Sequence, residues 1–126
     1  MRSFTGHSDW IFCLQVSGGI IASGSSGKMI IHKVEDGYIV KEISAHLNWI
    51  DTVAFNKDGT MLASGSDDCT CKVWDTESWE ELKEIRHPNI VKKVGFTEDN
   101  ILVTGCSDNV IRMFDACFNE IVVQGV

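Results

Sequence analysis

The sequence has little proline, no long apolar run and no surplus of basic residues. One proline among 126 residues excludes a proline-rich linker, and 11 glycines are too few for a collagen-like repeat. The longest apolar runs are a few residues, far short of the ~18 that a membrane-spanning helix needs. Polar residues at 6–9 interrupt the N-terminus before a signal-peptide core could form. We therefore expect neither a membrane span nor a secretory signal.

The charge balance argues against nucleic acid as a partner. The chain has 18 acidic and 11 basic residues and a net charge of −7. Binding to nucleic acid or to an anionic membrane requires clustered Lys and Arg, so neither is expected. The acidic surplus lies in residues 44–85, with nine acidic and three basic side chains. Two interpretations stay open, a solvated face that maintains solubility and a docking patch for a basic partner.

Five cysteines form no recognisable motif. They are Cys13, Cys69, Cys71, Cys106 and Cys117. An odd number without a secretory signal predicts free thiols in a reducing compartment, the cytoplasm or the nucleus. Cys69 and Cys71 are too close together for a zinc knuckle and have no second pair nearby. We expect small, mostly buried apolar side chains, and no metal or other cofactor.

One pattern occurs three times in the chain. Related segments lie at 21–25, 62–66 and 102–106, at offsets of 41 and 40 residues. A histidine precedes each of them: His7, His46 and His87. A short apolar segment follows each: 29–34, 70–75 and 110–115. The whole chain therefore forms one domain, 1–126, of three units at about 4–43, 44–85 and 86–126.

Each unit is predicted to contain four short strands. In the second unit these are 50–55, 61–65, 70–74 and 79–85, with Asp58-Gly59 in a tight turn after the first. The last segment contains good helix formers and would also suit an amphipathic helix. Its counterparts at 38–43 and 119–124 are rich in β-forming residues, so we predict a strand in all three units.

Gly6-His7 and Trp74-Asp75 resemble the GH and WD signatures of WD-repeat β-propeller blades. The resemblance covers residues 4–124. It implies an all-β fold in which each unit is one four-stranded antiparallel blade. In that family, a histidine, a Ser or Thr, an Asp and a Trp of each blade form a hydrogen-bonded tetrad.

The resemblance assigns this tetrad to each unit in turn. The second unit has all four members: His46, Ser64, Asp68 and Trp74. The third has Phe in place of Trp: His87, Thr104, Asp108 and Phe114. The first has His7 and Ser23, with Gly27 in place of Asp and His32 in place of Trp. Phe has no N–H to donate, and the first network is only half complete.

The combination of His, Ser and Asp also occurs in hydrolases. Here it recurs once per unit, whereas an active site is normally built once. No G-x-S-x-G segment is present. We therefore expect no enzyme activity, and a Ser/His hydrolase is a remote alternative.

A second set of residues lies in the loop and innermost strand that follow each histidine, on a face where WD-repeat propellers often bind partners. The candidates there are Trp10, Phe12, Trp49, Asp51, Ile90 and Lys92, and Asp67 in a neighbouring turn flanks the same surface. Large aromatic side chains at junctions between a loop and a strand are suited to be interface hot spots. Packing of the two tryptophans between blades is the alternative.

Three blades do not close a ring, since propellers have ~4–8. The outer faces of the first and third blades would stay uncovered. We expect head-to-tail self-association, as a homodimer of six blades or, less favoured, a homotrimer of nine. A different chain that supplies the missing blades, and a longer propeller of which this chain is one part, stay open.

The sequence therefore predicts a non-catalytic scaffold or adaptor for protein or peptide partners, which assembles with itself to close a propeller. The alternative is an assembly-only fragment that completes a larger propeller with another chain.

Overall fold

The computed structural model describes residues 3–121, which form eleven β-strands and no helix. The strands are β1 Cys13–Ser17, β2 Ile20–Gly24, β3 Ser26–Lys33, β4 Ile39–Phe55, β5 Met61–Ser66, β6 Thr70–Asp75, β7 Glu81–Arg86, β8 Val91–Phe96, β9 Leu102–Cys106, β10 Ile111–Phe114 and β11 Glu120–Ile121. No helix among these residues is long and apolar enough to cross a membrane. The all-β prediction is confirmed.

The strands pair in chain order, and every neighbouring pair is antiparallel. The first sheet contains β1, β2, β3 and the start of β4. The second contains the end of β4 followed by β5, β6 and β7. The third contains β8, β9, β10 and β11. Each unit of the sequence therefore contributes one four-stranded antiparallel sheet.

Strand β4 joins the first two sheets without a break. It runs for 17 residues and is the outermost strand of the first unit and the innermost strand of the second. His46 and the residues that follow it therefore lie within a strand and not in a loop. The segment 43–50 contains no Gly or Pro. Strand β3 pairs with it on both sides of the histidine, Lys28 with Ser44 and Ser26 with Trp49.

The ambiguous segment of the second unit is a strand, as the repeat predicted. Strand β7 pairs with β6 along its length. Lys72 on β6 reaches two carboxylates of β7, Glu81 at 3.2 Å and Glu84 at 3.7 Å. In the third unit the matching strand begins as β11, and residues 122–124 of that prediction lie outside the described residues. Residues 3–12 form no strand.

The apolar core lies between neighbouring sheets. One cluster joins the first and second units and includes Met29, Ile31, Ile50, Leu62 and Trp74. The other joins the second and third units and includes Ala63, Val73, Val91, Leu102 and Phe114. Since each sheet buries its faces against a neighbour, the outer faces of the first and third sheets have no covering sheet within residues 3–121.

Candidate partner-binding surface

A chain of hydrogen bonds fixes the histidine of the second unit. Trp74 donates its indole N–H to Ser64 Oγ at 3.0 Å, and Ser64 Oγ lies 2.7 Å from His46 Nε2. His46 Nδ1 lies 3.0 Å from Asp68 Oδ2. Because a carboxylate only accepts, Nδ1 carries the proton and Nε2 accepts from the Ser64 hydroxyl. The four residues that the sequence assigned to this tetrad are therefore connected in one line.

Burial controls the protonation of this network. Desolvation lowers the pKa of His46, although Asp68 partly offsets it. Burial also opposes ionisation of Asp68, but hydrogen bonds from Thr70 and the Leu47 N–H outweigh it and lower the pKa of that carboxyl. Ser64 is completely buried, so no substrate reaches its hydroxyl.

The third unit departs from the predicted tetrad at its aspartate. His87 Nε2 lies 2.9 Å from Thr104 Oγ1, and Phe114 packs edge-on against the imidazole. Asp108 binds Arg112 through both oxygens, at 2.8 and 3.3 Å, and this pairing lowers the pKa of Asp108 to about 2. His87 Nδ1 instead lies 3.2 Å from the Ile85 carbonyl oxygen. The expectation that Asp108 orients His87 was therefore wrong, because a two-pronged charge pair is stronger than one bond to a neutral imidazole.

The first unit retains half of the network. His7 Nε2 lies 2.7 Å from Ser23 Oγ, and no partner for the buried His7 Nδ1 occurs among residues 3–121. His32, at the tryptophan position, bonds the Thr5 carbonyl oxygen at 2.7 Å. Gly27, at the aspartate position, has φ +81°, and a Cβ there would overlap the His46 carbonyl oxygen. This turn therefore has no room for an aspartate.

The candidate residues after each histidine are held by the same local contact in all three units. A side-chain oxygen of the preceding residue accepts the backbone N–H of Trp10, Trp49 or Ile90, each time at 2.8 Å. The preceding residues are Asp9, Asn48 and Asn89. Asp and Asn favour such local turns. The three positions are therefore equivalent in structure as well as in sequence.

Aromatic side chains form a row across the first two units, which we call the aromatic row: Trp10, Phe12 and Trp49. The Phe12 and Trp49 rings meet edge-on with centroids 4.7 Å apart, and Trp10 lies 6.5 Å from Phe12. Trp10 is 76% exposed and Phe12 45%, whereas Trp49 is half-buried. Trp49 thus packs against the neighbouring unit, while Trp10 faces solvent. The packing alternative therefore applies to Trp49, and partner binding by Trp10 stays a prediction.

A pair of carboxyl groups borders the row. The Asp67 N–H donates to the Trp49 carbonyl oxygen at 2.9 Å, which places the β5–β6 turn beside Trp49. Asp51 lies two residues further along β4, where the register slips between Ile50 and Thr52. Such a bulge redirects the side chain. Asp51 Oδ2 and Asp67 Oδ1 are buried, and the described chain offers neither atom a donor.

The two carboxyl groups interact with each other. Burial, the hydrogen bond with Asp67 and its negative charge raise the pKa of Asp51 to about 7, and Lys92 partly counteracts them. One proton shared between the carboxyl groups satisfies both oxygens, whereas full ionisation leaves two negative charges side by side. A cationic side chain placed here would relieve that repulsion.

The third unit presents different chemistry at the same positions. Lys92 lies at a register slip that matches the one at Asp51 and is exposed. Ile90 is half-buried, and the Ser107 N–H bonds its carbonyl oxygen at 2.8 Å. The aromatic row therefore ends with the second unit, and the structure does not bring Ile90 into the aromatic contacts.

The cysteines form no disulfide. All five are free; Cys71 and Cys106 are buried, Cys13 and Cys69 partly buried, and Cys117 exposed. Burial raises the pKa of Cys71 to about 12 and that of Cys13 to about 11. Both thiols therefore stay protonated at neutral pH. The expectation of buried apolar side chains is wrong for Cys117.

Comparison with known proteins decides the family. The family model for the WD domain, G-beta repeat, matches residues 1–33 and 37–75. The chain belongs to the WD-repeat family. The human Serine-threonine kinase receptor-associated protein is 35% identical over 97 residues, 76% of this chain, and mouse Jouberin is 31% identical over 113 residues, 82% of this chain. The crystal structure of the RRP9 WD40 repeats superposes over 96% of this chain with a TM-score of 0.92 and 23% identity.

This WD-repeat chain spans a minor part of those proteins. It covers 28% of the human relative, 11% of Jouberin and 40% of the RRP9 chain. The likeness to RRP9 shows the propeller fold alone.

Sequence reasoning missed several contacts that support the WD-repeat architecture. Ser25 and Ser66 donate their hydroxyls to the carbonyl oxygens of Trp10 and Trp49. Both serines follow the repeated Ser-Gly pair, so an alignment of the units with each other identifies them as equivalent positions. Arg112 gave no such signal, because its counterpart on β6 is Lys72, which reaches β7 instead.

Proposed function

We propose that this chain is a non-catalytic scaffold that binds a basic protein segment on one surface. That surface, the aromatic–acidic surface, consists of Trp10, Phe12, Trp49, Asp51 and Asp67. The observation that carries the proposal is the exposure of Trp10, 76%, at the end of an ordered aromatic row next to two carboxyl groups without donors. Rigid, exposed aromatic side chains are frequent interface hot spots.

The chemistry of the surface favours a partner with Lys or Arg. A cationic side chain would bind both carboxylates of Asp51 and Asp67 and remove their mutual repulsion. It would also lie beside the Trp49 and Phe12 rings, whose faces attract cations. Residues 44–85 contain nine acidic and three basic side chains, and their net negative charge adds longer-range attraction to such a segment.

The buried network supports a function without catalysis. Ser64, the serine of the complete tetrad, is buried and accepts the Trp74 N–H. His46 has a lowered pKa and both ring nitrogens engaged. A nucleophile needs access to a substrate, which this serine lacks. The five free thiols further support a reducing compartment, the cytoplasm or the nucleus.

A selection of peptides tests this proposal. The protein is used to select binders from a random peptide library, and their affinities are measured with Trp10→Ala, Asp51→Asn and the wild type. We expect enriched peptides to contain Lys or Arg, and each substitution to weaken binding about 10-fold or more. Tyr38→Ala is the matched control, since Tyr38 is 71% exposed but lies in the β3–β4 connection.

Two results would contradict the proposal. The first is that no peptide binds. The second is that binding is as sensitive to Tyr38→Ala as to Trp10→Ala. Enrichment of acidic peptides would overturn the assignment of a basic partner while retaining the surface.

Self-association is a second proposed property, supported by the two uncovered sheets. Ile11, just before the first sheet, is 51% exposed, and Leu14 and Val16 on that sheet are both 56% exposed. On the third sheet Ile111 is 74% exposed. We infer that two copies join head to tail in a ring of six units, with three copies or another chain as the rival arrangements. Mass by light scattering over a dilution series tests this. A species at twice 14.0 kDa is expected, and a monomer at all concentrations would contradict it.

A further inference from the structure

Inside the chain, each unit fits the next by one repeated contact. The glycine near the end of the second strand lies under a β-branched side chain of the following unit. A Cβ on Gly24 would be 2.7 Å from Ile50 Cγ2, and a Cβ on Gly65 would be 2.7 Å from Val91 Cγ1. Ile50 and Val91 are both fully buried. In both contacts a branched side chain therefore packs closely on the backbone of a glycine.

The third unit has the same glycine, but no side chain of another unit covers it within residues 3–121. A Cβ on Gly105 would approach only Lys93 of its own sheet, at 3.8 Å or more. An open pocket of about 300 Å³ lies over this glycine. We call this pocket the Gly105 hollow. It is lined by Lys93, Val94, Gly95, Val103, Gly105 and Ile111.

The exposure of the residue paired with each glycine supports the interpretation that the Gly105 hollow is the same contact without the covering side chain. Ile111 pairs with Gly105 across the strands as Cys71 pairs with Gly65 and Met29 with Gly24. Cys71 and Met29 are fully buried, whereas Ile111 is 74% exposed.

The first unit supplies the matching side chain. Ile11 occupies the position that Ile50 and Val91 hold in their units, directly before Phe12 as Ile50 is directly before Asp51. It is 51% exposed, against 0% for both counterparts. Leu14 is 56% exposed, whereas its counterparts Val53 and Val94 are 3% and 9% exposed. One chain therefore carries both halves of a contact that it forms twice internally.

We propose that Ile11 of one copy seats in the Gly105 hollow of a second copy. The inference rests on the self-association proposed above and specifies its contact. Because the two surfaces differ, the joint is head to tail, and two such joints close a ring of two copies. Burial of Ile11, Leu14 and Ile111 removes apolar surface of the kind that drives association.

Lys93 is a long charged residue of the Gly105 hollow whose counterparts in the other units are small. Its counterparts Cys13 and Thr52 are small and lie between units, and Thr52 Oγ1 accepts the Val94 N–H of the next unit at 3.3 Å. Lys93 is exposed and must bend aside for the second copy to approach. Lys93→Thr gives the third unit the residue that the second unit has at this position. We therefore expect it to tighten the association several-fold, because a long, flexible lysine side chain no longer has to be immobilised at the joint.

Paired variants test the contact. Ile11→Asp removes the inserted side chain, and Gly105→Val fills the hollow, where the backbone has room for a Cβ. We expect each variant alone to be monomeric and folded by circular dichroism. In an equimolar mixture, Ile11 of the Gly105→Val protein can seat in the intact hollow of the Ile11→Asp protein, whereas the second joint of the pair carries both substitutions. The mixture should therefore recover a species of twice the monomer mass, with weaker association than the wild type. Leu82→Asp, at a residue 46% exposed on β7, is the control and should not change the mass.

The outcomes separate this contact from self-association in general. A monomeric wild type overturns both. A dimeric wild type that Gly105→Val leaves unchanged overturns the contact alone, and loss of the dimer with Ile11→Asp only would indicate a joint between two first units. If either variant fails to fold, Lys93→Thr decides, since an unchanged or weaker dissociation constant contradicts the contact.

Discussion

The indole N–H of Trp74 donates to Ser64 Oγ at 3.0 Å, and both groups are buried. At the same position of the third unit Phe114 has no such donor and contacts His87 only through its ring edge. Thr104 of that unit therefore accepts no indole N–H. The two units provide the same architecture with and without this hydrogen bond.

Trp74→Phe is expected to destabilise the protein. It removes one buried hydrogen bond and some ring volume, which together cost about 1–3 kcal/mol of the free energy of unfolding. The midpoint of a urea titration measures this. Trp74→Phe with unchanged stability would mean that the indole N–H contributes nothing to the network.

The carboxyl pair predicts a pH-dependent stability. The pKa of Asp51 is raised to about 7 in the folded protein, from 3.8. The folded state therefore binds more protons than the unfolded state between these values. The contribution of this group to stability is full below about pH 4 and is lost as the pH rises through 7. Besides burial, Asp67 raises the pKa of Asp51, and Lys92 lowers it. Together with burial, the negative charge of Asp51 in turn raises the pKa of the Cys13 thiol.

Asp51→Asn removes this dependence. We expect thermal unfolding of the variant to change less between pH 5 and pH 8 than that of the wild type, with the variant relatively more stable at the higher pH. Asp58→Asn is the control, since it removes the same charge from an exposed turn. Parallel curves for Asp51→Asn and the wild type would contradict the shared proton.

Sequence reasoning reached the repeated parts of this fold and missed the parts that differ between units. The strand β7 follows from the period, because each unit constrains the others, and the tetrad of His46 and Ser64 follows from the resemblance to WD-repeat blades. The pairing of Asp108 depends on Arg112 on the adjacent strand, which the period does not specify. The contact of Asp51 with Asp67 depends on a bulge in β4, a one-residue change of register that sequence patterns do not show.

The different pairing of Asp108 can be reversed. In the second unit Thr70 holds Asp68 by its hydroxyl, and Lys72 reaches β7 instead. The double variant Val110→Thr/Arg112→Lys copies both residues into the third unit. We expect Asp108 to turn towards His87 and raise the pKa of that imidazole, which burial lowers in the wild type. An NMR titration of His87 measures this, and an unchanged value would show that Arg112 does not hold Asp108 away.

Gly65 and Gly105 predict opposite effects of the same substitution. Gly65→Ala places a Cβ 2.7 Å from Val91 Cγ1 and 2.8 Å from Thr52 Cγ2. Overpacking of this kind typically costs about 1–3 kcal/mol of the free energy of unfolding. Gly105→Ala meets no atom closer than 3.8 Å. It should change that free energy by less than about 0.5 kcal/mol or raise it, since alanine restricts the unfolded chain.

The measurement is chemical unfolding of both variants at a protein concentration where the chain is monomeric. Raising the concentration then adds a second readout. Association should stabilise the wild type more than Gly105→Ala, because the new Cβ stands where the Ile11 side chain of a second copy would seat. Equal gains in both proteins would show that the third sheet associates elsewhere. A Gly65→Ala protein as stable as the wild type would show that the internal contact tolerates a methyl group, and the fit inferred for the second copy would fail with it.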